Sequence, residues 1–117
     1  MGILAFVRQC EPEPRDFADA IQQREHIVAV LQRYLPELQQ RYHVRALWLF
    51  GSHARGEQRR RSDIDILVEF RETPSLLKLA RLQHELTQLL GKRVDLALKD
   101  ALKPNIARRI REEAIPI

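Results

Sequence analysis

The 117-residue chain is 44% hydrophobic and 31% charged, with a net charge of +4. That length predicts one domain with a modest core, and no apolar run approaches the length of a membrane span. A single cysteine, Cys10, excludes an internal disulfide framework and a cysteine-based zinc site. Positive charge suits a polyanionic partner, yet no basic patch is interleaved with aromatic side chains, so direct nucleic-acid binding is not expected.

Residues 1–15 carry Pro12 and Pro14 in a Glu-Pro-Glu-Pro tract that cannot continue a helix, and read as an arm without an assigned function. The run Ile3 to Val7 is too short for a signal-peptide core and no small-residue cleavage pattern follows it, so the expected setting is the cytoplasm. A single domain is expected over 16–117. Asp16 reads as the N-cap of a helix with apolar residues at Phe17, Ala20, Ile21, Ile27, Val28, Leu31, Leu35 and Leu38. Pro36 is expected to kink or split it before it ends near Tyr42-His43. From Val44 to Phe50 only Arg45 is polar, which predicts a strand covered on both faces, with Trp48 in the core.

After Gly51-Ser52, the segment His53 to Arg61 holds four arginines and no large apolar residue, so it is expected to be exposed, with a short helical turn at its start. In the next strand Ile64, Ile66, Val68 and Phe70 form one face, and Asp63, Asp65, Leu67 and Glu69 the other. Thr73-Pro74 reads as an N-cap and first helical residue. The helix that follows has leucines at 76, 79, 82, 86, 89 and 90 and closes at Gly91. Val94, Leu96 and Leu98 alternate with Asp95 and Ala97 in a third strand; a helix over 104–113 and an apolar tail complete the chain.

The chemistry concentrates where the first strand stops. Small residues at Gly51-Ser52 let the backbone approach a ligand and leave N–H groups for an anion, with phosphate the natural guest. Asp63 and Asp65, two apart on a strand, project from one face and suit one or two Mg²⁺ ions. The second strand, leucine helix and third strand form a β-α-β crossover with parallel strands, and the short link from the first strand predicts an antiparallel pair. Gly51-Ser52, Asp63, Asp65 and Asp95 then share one end of the sheet. His26, His43, His53 and His84 lack metal-ligand spacing and read as surface or boundary residues; Ser52-His53 is no nucleophile pair, since neighbours on a strand end point apart.

These residues, Leu49-Phe50-Gly51-Ser52-His53-Ala54-Arg55-Gly56 with Ser62-Asp63-Ile64-Asp65-Ile66-Leu67-Val68 and Val94-Asp95-Leu96, strongly resemble the minimal nucleotidyltransferase domain of the DNA polymerase beta-like superfamily. The resemblance covers about residues 31–116. It implies an α+β nucleotidyltransferase fold, a small mixed sheet of three to four strands flanked by helices. It also implies that Gly51 and Ser52 hold the triphosphate of an ATP substrate, with Arg55 and Ser62 near it, and that Asp63, Asp65 and Asp95 bind Mg²⁺, Asp95 as ligand or base. Small stand-alone members resemble antitoxins that transfer AMP to a tyrosine of a partner HEPN ribonuclease toxin, so a hetero-oligomer is implied. The Arg59-Arg60-Arg61 run departs from the more neutral loop expected there. Arg55 reads equally as a phosphate ligand and as a surface arginine packed on its own helix. The rival readings are a non-catalytic module that neutralises a toxin by binding, and a nucleotidyltransferase acting on a small molecule or RNA.

Overall fold

Four strands form one mixed sheet in the order β3-β2-β1-β4. The computed structural model describes residues 17–117, with side chains from Asp19 onward; the predicted arm, Cys10 and the Asp16 cap lie outside the described residues. Helix α1 (Phe17–Tyr42) leads into β1 (Val44–Phe50), a single helical turn α2 (Ser52–Arg55) and β2 (Ile64–Phe70). Helix α3 (Leu76–Leu90) connects to β3 (Val94–Leu98), and a 3₁₀ turn (Lys99–Ala101), α4 (Pro104–Glu113) and β4 (Ile115–Pro116) follow.

The predicted pairings are present. β1 and β2 run antiparallel, and β2 and β3 run parallel with Asp65 opposite Asp95. The apolar tail, to which the sequence pattern assigns no strand, pairs antiparallel with β1 through Leu49↔Ile115 and Trp48↔Pro116. It gives backbone partners to an edge that β1 would otherwise expose.

One face of the sheet carries the core. Leu47, Leu49, Ile64, Ile66, Val68 and Val94 meet Ile27, Leu31, Leu38 and Tyr42 of α1 and Leu82 and Leu86 of α3. The β1–β2 register slips between Val44 and Ala46, a bulge that leaves Arg45 exposed and lets Val44 and Leu47 both be buried although they stand three apart. The opposite face is only partly covered, so the expectation that β1 is buried on both sides fails: Ala46, Trp48 and Phe50 are half-buried. There Lys99 sets its ammonium 5.6 Å from the Trp48 ring centre and 3.0 Å from Glu69 Oε2, so the three side chains meet over β2, and Leu67 is fully buried.

Three local expectations are corrected. Helix α1 is not split at Pro36, because one lost backbone bond is offset by the packing of Leu31, Leu38 and Tyr42 on either side. The α3 cap is Ser75, whose hydroxyl accepts from the Lys78 N–H at 3.1 Å, rather than Thr73 with Pro74 at the first position. Leu76 is 87% exposed; the apolar stripe of α3 begins to be covered at Leu79. His43 ends α1 in the left-handed conformation, and Gly91 ends α3 likewise, as its position predicted.

Candidate active site

The register of three strands builds the site. Phe50, last in β1, lies opposite Asp65, which lies opposite Asp95 on β3. Gly51 follows at φ 77° and ψ −154°, a backbone shape that side chains rarely adopt. A Cβ there would stand 2.3 Å from Asp65 Oδ2, so the glycine is required twice, by its dihedrals and by the carboxylate packed against it. Helix α2 starts at once, its turn closed by Arg55 N–H to the Gly51 carbonyl at 3.2 Å and Glu57 N–H to the Ser52 carbonyl at 2.9 Å. The N–H groups that open such a turn have no acceptor within it and remain for a ligand.

The acids are crowded. Asp65 is pushed above the usual carboxylate range, first by burial and then by Asp95 and Asp63, with Arg55 offsetting part of the effect. Asp63, just before β2, has Oδ2 3.9 Å from Arg93 Nε. Among the described residues no three His, Cys, Asp or Glu side chains stand close enough together to hold a metal ion. Asp65 and Asp95 are cross-strand neighbours, while Asp63 is turned toward Arg93. The set fits a hard divalent cation by its chemistry: carboxylate oxygens only, with excess negative charge felt at Asp65.

The remaining predicted residues sit around this centre. Ser52 is half-buried at the first position of α2. Arg55 is exposed and paired with Glu57 at 3.1 Å and Glu113 at 3.4 Å, which ties the α2 turn to the end of α4. Ser62 closes a turn: its hydroxyl accepts from the Arg59 N–H at 2.8 Å, and its own N–H donates to the Arg59 carbonyl at 3.0 Å. That turn presents Arg59, Arg60 and Arg61 to solvent, and Lys92 Nζ holds it by donating to the Arg59 carbonyl at 3.3 Å.

Three residues of the segment expected to be exposed are buried instead, the small Ala54 and two polar ones. His53 is 1% exposed, with Nε2 3.4 Å from Lys92 Nζ; burial and that ammonium push its pKa down to about 4, so the ring is neutral. Gln58 is 3% exposed and donates to the Ala20 carbonyl at 2.9 Å and to Gln23 Oε1 at 3.1 Å. Both were hidden in sequence because the elements that cover them include α1, far away in the chain. The small residue Ala54 beside His53 was the one local sign of close packing.

Comparison with known proteins bears on this geometry. The sequence model of the nucleotidyltransferase domain matches residues 31–117. The protein adenylyltransferase MntA of Thermococcus cleftensis is 46% identical over 91 residues, spanning 78% of this chain and 92% of that protein. A solved minimal nucleotidyltransferase superposes with a TM-score of 0.61 at 36% identity, covering 89% of this chain and 98% of that one. A toxin-antitoxin structure with AMP-PNP superposes with a TM-score of 0.60 at 25% identity, covering 80% of this chain and 70% of that one.

Proposed function

The chain belongs to the nucleotidyltransferase domain family, and from that premise we propose that it is a protein adenylyltransferase antitoxin that transfers AMP from ATP to a tyrosine hydroxyl of a partner HEPN ribonuclease toxin. One observation carries the reading: the glycine that ends β1 is packed against the carboxylate of Asp65, opposite Asp95, so that a phosphate-approaching turn and paired acids occupy one place. In the reaction the acceptor oxygen bonds to the α-phosphorus, the bond to the bridging oxygen of the β-phosphate breaks, and pyrophosphate leaves. The hydroxyl proton passes to a carboxylate, for which Asp95, exposed at the start of β3, is the assigned base or ligand.

Gly51 and Ser52 bind the phosphates by backbone N–H groups, and Arg55 completes the cradle by exchanging its Glu57 and Glu113 partners for phosphate oxygens. Asp65 and Asp95, the cross-strand pair, joined by Asp63 once it turns away from Arg93, would hold Mg²⁺, which when bound supplies charge stabilisation at the transferred phosphoryl group and relieves the mutual repulsion of the acids. Everything else the domain contributes is positioning.

The acceptor arrives on another protein. Among the described residues the sheet, its helices and the nucleotide turn occupy the domain, and the open face beside Asp65 is the surface left for docking. A protein as acceptor is supported by the name of the adenylyltransferase relative, and a toxin as that protein by the toxin-antitoxin neighbour that carries AMP-PNP. We read the assembly as a hetero-oligomer working in the cytoplasm, where ATP is abundant; among the described residues no helix is long and apolar enough to cross a membrane.

Co-incubation of this protein with its partner, ATP and Mg²⁺ is expected to raise the partner's intact mass by one or more AMP units and to silence its ribonuclease activity. An unchanged mass with the ribonuclease still suppressed would replace this reading by neutralisation through binding, for which the three aspartates would be dispensable.

A further inference from the structure

Helix α1 begins before the family-matched part of the chain, which starts at residue 31. Its earlier turns are nevertheless fastened to the segment that follows Gly51. The Gln58 amide, 3% exposed, donates to the Ala20 carbonyl at 2.9 Å and to Gln23 Oε1 at 3.1 Å. Arg24 donates through its guanidinium to the Ala54 carbonyl at 3.2 Å. Ala20 and Ile27 are buried on the same stretch of helix, and Ala54 and His53 are buried below it. Every one of these bonds crosses at least thirty positions of sequence, and each ends on the α2 turn or the strap that leads out of it.

A four-residue helix cannot hold its own shape. Its orientation must be imposed by tertiary contacts, and here Gly51 and Asp65 fix one end while α1 fixes the other. We propose that residues 20–27 of α1 are a brace for the phosphate-binding turn, with Gln58 and Arg24 as positioning residues that hold the opening N–H groups of α2 in their binding orientation. This rests on the nucleotide-binding role proposed above for Gly51 and Ser52. Neither residue touches the nucleotide; both act through the backbone that does. The consequence is that ATP affinity is set partly by a helical segment outside the matched family domain.

The test uses the full chain and AMP-PNP with Mg²⁺ as the probe. Gln58→Met keeps the side-chain length and removes the donors. It should accelerate hydrogen exchange at amides 52–57 in the nucleotide-free protein and weaken AMP-PNP binding about tenfold by calorimetry, while far-UV circular dichroism stays unchanged. Gln39→Met is the matched control: Gln39, on the same helix, donates to the Arg45 carbonyl at 3.3 Å away from the turn, and its loss should change neither reading. Gln58→Glu should fail like Gln58→Met, because a carboxylate would face the Ala20 carbonyl and Gln23 Oε1. Adding Gln23→Arg to Gln58→Glu should restore both binding and slow exchange at amides 52–57 through a new ion pair. Should Gln58→Met not fold, Arg24→Met answers the same question from the other bond. Unchanged exchange at 52–57 in a folded Gln58→Met protein, or an equal loss of affinity in Gln39→Met, overturns the brace. A wild-type protein that binds no AMP-PNP would instead overturn the nucleotide reading, and the exchange data would still decide whether α1 holds the turn.

Discussion

The two faces of the sheet do opposite things with the same strands. Toward α1 and α3, Leu47, Leu49, Ile64, Ile66, Val68 and Val94 are at most 1% exposed, and their burial supplies much of the drive to fold. On the other face Glu69, Lys99 and Trp48 meet with partial cover, Asp95 is exposed, and the acids at the strand starts repel one another. Neighbours in sequence therefore have opposite effects: Ile66 stabilises, while Asp65 is held at a cost to the fold. Stability is concentrated on one side of the pleat and chemistry on the other, and a period of two is what separates them.

Substitutions at adjacent positions sharpen this contrast. Asp65→Asn should lower AMP transfer about a thousandfold, the scale of losing a central electrostatic contact at the transferred group. The same change should raise the midpoint of thermal unfolding by a few degrees in metal-free buffer. Burial and like charge hold the Asp65 pKa above its unfolded value, so the ionised form weakens the fold once pH exceeds the unfolded value, and asparagine removes that charge. A rise in stability together with loss of transfer is the signature; a fall in both would place Asp65 on the stabilising side.

Gly51→Val comes next. Its Cβ would enter the space of Asp65 Oδ2, and its φ would be strained, so transfer should fall by about a hundredfold or more. Circular dichroism and activity on the same sample separate this from unfolding, and a soluble Gly51→Val protein with retained transfer would show that the turn has no part in phosphate binding.

On the core face, Ile66→Ala should cost about 2–5 kcal/mol in chemical denaturation, while transfer per folded molecule stays within roughly twofold. Reduced turnover in the folded fraction would break the separation between faces.

The smallest effect comes from His53 beneath α1. Its pKa of about 4 in the folded protein lies below the ordinary histidine value, so the unfolded chain binds the extra proton first. Its stabilising contribution is complete above about pH 6.5 and is lost as pH falls toward 4, by up to about 3 kcal/mol. A variant His53→Asn should flatten that part of the curve of stability against pH, and an unaltered curve would show that another group controls it.

Local rules sufficed where neighbours in the chain decide the outcome. The alternation of Ile64, Asp65, Ile66 and Leu67, the leucine spacing of α3, the Gly91 stop and the joint pattern of Gly51-Ser52 with the acids are short-range properties, and strand pairing with a β-α-β crossover then leaves little choice about where the acids lie. Helix continuing past Pro36 and the pairing of Ile115 with Leu49 were not readable, because packing against distant elements overrides local preference; the cap was a choice among adjacent residues, decided by the bond from Lys78 N–H to the Ser75 hydroxyl. The burial of His53 and Gln58 is the sharpest instance. A segment rich in arginine looks solvated in one dimension, and only the arrival of α1 across it, through bonds to Ala20, Gln23 and Ala54, removes those two side chains from water. Sequence determined the acids, the glycine, the order of elements and which strand residues share a face; tertiary structure decided what covers the segment after Gly51 and what holds its turn in place, because those depend on contacts between residues thirty or more positions apart.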